Sequence, residues 1–176
     1  MKYLIVDDEV AHLRRWTRPL REAGHHVTIA REVDIGWERI QRERKDPFDL
    51  VLLDLALDRR ADEFTWEQGI VKEALSRRGF GDLPMSGQAL GLRLWRRRRA
   101  LKQRYCYVSN VRNLIWMPRL IADDPEFNEP DPDAYGLEMP DNLLGVILEK
   151  SELSSNNVAE KLQKAWQIWE DNGWLH

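Results

Sequence analysis

One cysteine, Cys106, in a chain of 176 residues excludes an internal disulfide and any metal site built from several thiolates. No apolar run approaches the roughly 18 residues that a membrane span requires. The four apolar residues Tyr3 to Val6, which precede Asp7 and Asp8, are too few for the core of a secretion signal. Neither sign of charge dominates: 27 Lys and Arg against 30 Asp and Glu leave −3. The overall field therefore gives no ground for wrapping nucleic acid or adhering to an anionic membrane, and any contact with a polyanion must be local. The four histidines have neither partner cysteines nor helical ligand spacing, so no zinc site is read. These absences lead us to expect a reduced, cytoplasmic chain.

What is present alternates. Tyr3-Leu4-Ile5-Val6 reads as a strand, followed by a helical pattern carrying Leu13, Trp16, Thr17 and Leu20 on one face. Gly24 ends that helix. His26 to Ala30 is a second strand, and Ile35, Trp37 and Ile40 mark a second helix that Pro47 has ended. Leu50 to Leu53 is apolar without alternation, as expected of a strand covered on both faces of a parallel sheet. A helix resumes near Ser86 with Leu90, Leu94 and Leu101, then the strand Tyr105 to Val108 and a helical pattern from Val111 to Ile121. Val146-Ile147-Leu148 is the last strand. Val158, Leu162, Ala165, Trp166 and Trp169 give the apolar stripe of a final helix, and Trp16, Trp166 and Trp169 are read as core residues. This order predicts an α/β fold with a five-stranded parallel sheet and helices on both faces.

Five strand–helix units need roughly 125 residues, which leaves about 50 over. The surplus falls mainly in two insertions, at about 58–83 and about 122–144, rather than in a second domain. The first is charged and mixed, with a short helical stretch from Glu67 to Arg77 before the breakers Gly79 to Pro84. The second is acidic: residues 122–141 hold eight acids, four prolines and no Lys or Arg, the composition of an exposed loop. The run Arg96-Arg97-Arg98-Arg99, with Arg93, Lys102 and Arg104, is read as the solvated face of a helix in preference to a phosphate-binding surface.

In a parallel sheet of this kind the binding crevice lies outside the carboxyl ends of the strands, where strand order reverses. Asp7 and Asp8 follow the first strand, Asp54 ends the third, Ser109 the fourth and Lys150 the fifth. Singly, each has a plainer explanation: Asp7-Asp8 suits a helix cap, Asp54 a strand-end turn, and Lys150 a solvated surface position. Jointly, three clustered carboxylates call for a hard cation with oxygen ligands, for which Mg²⁺ is the usual fit. Asp54 could then act as a carboxylate nucleophile forming an acyl phosphate, with Lys150 as a point charge and Ser109 as a hydroxyl donor.

The residues Leu4-Ile5-Val6-Asp7-Asp8-Glu9, Asp49 to Asp54, Val108-Ser109 and Lys150 together resemble the receiver domain of bacterial two-component response regulators. Pro84-Met85-Ser86-Gly87-Gln88-Ala89-Leu90 also looks like the family's segment opening its third helix. The resemblance implies a flavodoxin-like, receiver-type fold over residues 1–176 as a single domain without an attached output domain. It implies Asp54 as phosphoacceptor, Asp7 and Asp8 as Mg²⁺-site carboxylates with the Ala56 carbonyl as a further ligand, Ser109 as switch hydroxyl and Lys150 as phosphoryl contact. The implied donor is a histidine kinase or phosphotransfer protein. Output would pass to a downstream protein or a second copy of the chain, and the chain would assist its own phosphorylation without being an enzyme with a separate substrate. Three positions depart from the family: Ser151 replaces the usual proline after the lysine, Asn110 a usual small residue, and Ile147 a common aromatic switch residue. They favour, as the alternative, a pseudo-receiver that acts as an interaction module without phosphorylation. A metal-dependent hydrolase ranks third, because no general base beyond these carboxylates is evident.

Overall fold

The computed structural model describes residues 1–57, 61–77, 79, 86–110 and 145–176. The expected helix from Val111 to Ile121, the acidic insertion at 122–144 and part of the first insertion lie outside the described residues. The five apolar runs form one parallel sheet: β1 (Lys2–Val6), β2 (His26–Ala30), β3 (Leu50–Leu53), β4 (Tyr105–Ser109) and β5 (Ile147–Glu149). Their spatial order is β2-β1-β3-β4-β5. Leu4 lies between Thr28 and Val51, Leu52 opposite Cys106, and Tyr107 opposite Ile147. Every residue of β3 and β4 is buried, which accounts for the lack of alternation in their sequences. The chain runs outward from β1 to β2 and then back across to β3, so strand order reverses between β1 and β3.

Six helices accompany the sheet among the described residues: α1 (Val10–Glu22), α2 (Val33–Arg42), α3 (Thr65–Arg77), α4 (Ser86–Arg96), the single turn α5 (Arg98–Leu101) and α6 (Val158–Asp171). Helix α1 packs beside α6, and α2 beside α4. In α1 the expected stripe Leu13, Trp16, Thr17 and Leu20 is buried, and Gly24 closes the helix at φ +82, a conformation that side chains disfavour.

Several expectations shift. Ile35 is exposed, because Val33, Gly36, Trp37 and Ile40 supply the buried face of α2. Trp166 is half-buried beneath the Arg104 guanidinium, while Ile168 takes the core place beside Trp169. The last strand begins one residue later than expected, so Lys150 follows it directly and opens a 3₁₀ turn, Lys150–Glu152. The first insertion is structured where described: a 3₁₀ turn (Asp62–Phe64) leads into α3, which starts two residues before the expected Glu67 and buries Val71 and Leu75, as the turn buries Phe64. The arginine run is not one solvated face. Helix α4 stops at Arg96, and Arg98 turns inward to the carbonyls of Trp95 and Trp174 with its guanidinium 4.0 Å from the Trp95 ring.

Tyr3 illustrates what complete burial does to a titratable group. Its hydroxyl donates to Met1 Sδ at 3.1 Å, and burial, reinforced by Asp49, pushes its pKa up to about 12. A pKa raised on folding contributes stability that is fully present below the unfolded value near 10 and is lost as pH rises through about 12. Urea unfolding of Tyr3→Phe across pH 10–12 should therefore show a flatter decline than the wild type. Parallel declines would contradict this assignment.

Candidate functional site

The reversal of strand order brings the ends of β1 and β3 side by side. Asp54 N–H donates to the Val6 carbonyl at 2.9 Å, extending the ladder by one residue, and Asp7 N–H donates to Ala30 O at 2.9 Å. Both aspartates are thereby fixed by backbone pairing to neighbouring strands. Asp7 is 1% exposed and Asp54 7%, whereas Asp8 is exposed. Carboxylate oxygens of Asp7, Asp8 and Asp54 lie within 4.8 Å of one another. The cap explanation of Asp7-Asp8 gives way to a turn: the residue preceding α1 is Glu9, whose N–H donates to Asp7 Oδ1 at 2.9 Å.

Lys150 closes the cluster. From the end of β5 its ammonium reaches Asp54 Oδ2 at 2.6 Å and Asp7 Oδ2 at 2.7 Å, with a side chain only 7% exposed. One buried cation bridging two buried carboxylates offsets charges that burial alone would make unfavourable. Desolvation raises the Asp54 carboxyl above the ordinary aspartate range; Lys150 and the Ala56 N–H pull it down, and Asp7 pushes it further up. Burial acts to lower the Lys150 pKa, but Asp54 and Asp7 outweigh it and the net shift is upward, so the ammonium stays charged. The donor set consists of carboxylate oxygens around a position that already holds a positive charge. That chemistry fits a hard divalent cation.

Two further features set the surroundings. Helix α4 begins against the site: a Cβ on Gly87 would lie 1.6 Å from the Asp54 carbonyl oxygen, so only glycine permits this approach. The second is a cleft of about 500 Å³ between α1 and the end of β5, lined by His12, Arg15, Trp16, Asn110, Lys150 and Ser151 among others.

Of the residues singled out in the sequence, Asp7, Asp8, Asp54 and Lys150 come together. Ser109 is buried at the end of β4, in register with Glu149. Ala56 is partly buried two residues beyond Asp54. Asn110 is exposed at the cleft, and Ile147 is buried in register with Tyr107. All described peptide bonds are trans, and Ser151 instead lies in the 3₁₀ turn, its hydroxyl donating to Glu149 Oε1 at 2.7 Å. His12 and Arg15 at the cleft carry no signal in their own spacing. Gly87 lay within a segment already noted, but its contact with the Asp54 backbone carries no local signal.

No family model matches the chain, and no curated protein matches it. Solved structures do. A response regulator receiver domain protein (CheY-like) from Methanospirillum hungatei JF-1 is 19% identical over 98% of this chain and 98% of that one, with a TM-score of 0.53. The N-terminal domain of a response regulator/sensory box/GGDEF 3-domain protein from Carboxydothermus hydrogenoformans is 15% identical over 98% and 99%, with a TM-score of 0.47. The likeness to the first establishes the fold: a flavodoxin-like, receiver-type α/β sheet.

Proposed function

We propose that this receiver-type chain accepts a phosphoryl group on Asp54 in an Mg²⁺-assisted reaction and signals through altered protein contacts as a response regulator. The observation that carries the reading is the buried pair Asp7 and Asp54 at the ends of adjacent strands, bridged by the Lys150 ammonium at 2.7 and 2.6 Å. Residues 1–176 form one domain, with its surplus at about 58–83 and 122–144. A histidine kinase or phosphotransfer protein supplies the phosphoryl group, and the output is a contact with a downstream protein. Among the described residues no helix is long and apolar enough to cross a membrane, which is compatible with action in the cytoplasm.

In the reaction an Asp54 carboxylate oxygen attacks phosphorus, the bond to the donor atom breaks with its electron pair remaining on the donor, and an acyl phosphate results. Lys150, already within hydrogen-bond distance of Asp54, serves as a compact cation toward a phosphoryl oxygen, and Ser109 as a hydroxyl donor. Mg²⁺ held by Asp7, Asp8, Asp54 and the Ala56 carbonyl would offset charge on the phosphoryl oxygens. The acyl phosphate then biases the loops around Ser109 between two arrangements.

A second reading, the pseudo-receiver that acts as an interaction module, is favoured by one observation: Ile147, where the receiver family often has an aromatic switch, is a buried aliphatic side chain against Tyr107. Intact-mass measurement after incubation with Mg²⁺ and a small acyl-phosphate donor separates the two. The wild type is expected to gain one phosphoryl group and Asp54→Asn none. A wild type that gains none, with the small donor and with candidate kinases alike, would point to the pseudo-receiver.

A further inference from the structure

Helix α3 is the described element that a minimal five-unit fold does not require, yet it is joined to the rest by an extended polar arrangement outside the site. Arg93 of α4, 9% exposed, forms a two-pronged pair with Glu67 of α3, 6% exposed: Nε to Oε1 at 2.6 Å and Nη2 to Oε2 at 2.7 Å. Its Nη2 also donates to the Glu63 carbonyl at 2.6 Å. The guanidinium lies 3.9 Å from the Phe64 ring centroid and 5.3 Å from that of Trp37, whose indole N–H donates to Glu63 Oε1 at 2.6 Å. An arginine buried in this way has nearly every donor directed at one partner segment, which fixes relative position more sharply than apolar packing does.

The first turn of α4 reaches the phosphoacceptor. Gln68, next to Glu67, donates to the hydroxyl of Ser86, the first residue of α4, at 3.4 Å. Gly87 follows, against the Asp54 carbonyl and within 3.2 Å of Leu55 Cα measured from its ideal Cβ. The α3 segment therefore grips α4 at Ser86 and Arg93, on either side of the turn that presses on the strand β3 terminus, and the Arg96 guanidinium lies 4.2 Å from the Trp66 ring.

We propose that Glu67 and Arg93 are positioning residues for the site: by holding α4 they set how Gly87 bears on the backbone of Asp54 and Leu55, and hence where Ala56 sits. This extends the phosphoacceptor reading and rests on it for its functional meaning, although the coupling itself is a property of the fold. An inserted helix tied to the site in this way gives a partner that displaces α3 a route to the phosphoacceptor.

The test follows Glu67→Gln, Arg93→Lys and Gln68→Ala, with Ser76→Ala, at an exposed position of α3, as a control. Amide exchange at Ala56, whose N–H bonds to the Asp54 carboxylate, and titration with Mg²⁺ alone are read under conditions where each variant is fully folded. Glu67→Gln is expected to weaken Mg²⁺ binding by about threefold to tenfold, below the range for groups bonded directly to a metal ligand, and to speed Ala56 exchange by a similar factor. Arg93→Lys should fall between Glu67→Gln and wild type, Gln68→Ala should shift both readouts in the same direction by less, and Ser76→Ala should match wild type. If Glu67→Gln lowers the melting midpoint but leaves Ala56 exchange and Mg²⁺ affinity at wild-type values, the two residues are merely structural and the proposal is overturned. Should Glu67→Gln fail to fold, an unchanged Gln68→Ala overturns it equally. If Ala56 exchange responds while the wild type never gains a phosphoryl group, the coupling stands and the functional reading falls.

Discussion

Replacing Lys150 with methionine is expected to destabilise the folded chain by about 3–5 kcal/mol at neutral pH, the cost typical of removing one partner from a buried ionic group. The ammonium lies between Asp7 Oδ2 and Asp54 Oδ2, with side-chain exposures of 7%, 2% and 9% for the three residues. Methionine fills similar volume but leaves two buried carboxylates facing each other. Asp54, whose carboxyl is already raised by burial and by Asp7, then loses the opposing pull of Lys150 and rises further. The sign of the pH dependence follows. A carboxyl raised above its unfolded value binds its proton more tightly when folded, so its contribution is whole below pH 3.8 and is lost as pH increases through the folded value. The variant should be closest to wild type near pH 4 and furthest from it near pH 7, as measured by urea midpoints at both. A midpoint at pH 7 within about 0.5 kcal/mol of wild type, the range of ordinary surface changes, would mean that the bridge contributes nothing. Added Mg²⁺ should stabilise the variant more than the wild type, because the ion no longer competes with the ammonium for the same oxygens.

Gly87→Ala is expected to cost about 3 kcal/mol, near the upper end for added volume in a packed interior. The reason is what the new methyl would meet: the Asp54 carbonyl oxygen at 1.6 Å, its carbon at 2.8 Å and Leu55 Cα at 3.2 Å, all backbone. Backbone pinned to β1 through Asp54 N–H cannot rotate aside as a side chain can, so either α4 withdraws or the segment after β3 shifts, and both disturb the setting of Asp54. Gly145→Ala provides the contrast, since its methyl would meet Ile168 Cδ1 at 2.2 Å, the free end of a side chain that can change rotamer. Thermal unfolding of the two variants should separate them clearly, with Gly87→Ala also weakening Mg²⁺ binding. Equal losses would indicate that the strand yields as easily as the isoleucine.

Much of the architecture was readable because its causes are local. Leu50 to Leu53 announced a strand covered on both faces through its own lack of alternation, and Asp7, Asp8 and Asp54 stood out because a polar residue ending an apolar run has few reasons to be there. The stripe Leu13, Trp16, Thr17 and Leu20 specified which side of α1 is buried from spacing alone. Depth was less readable than direction. Trp166 lay on the edge of a genuine stripe and is half-buried, and Ile35 belongs to an amphipathic helix yet faces solvent.

Strand and helix order, the parallel sheet and the acids at strand ends were legible from the chain, since periodicity and chain breaks act over a few residues. Which charges meet was settled by packing. Lys150 pairs with Asp54 across 96 positions and Arg93 with Glu67 across 26. Nothing near Arg93 distinguishes it from the exposed Arg96 or the inward-turned Arg98. The physical reason is that a charged side chain is stable in the interior only when a complementary group is delivered to it, and that delivery depends on how distant elements stack, not on the residues beside it in the chain. For the same reason the short helical stretch from Glu67 to Arg77 was legible in the first insertion, but its fastening to α4 through Glu67 and Arg93 was not.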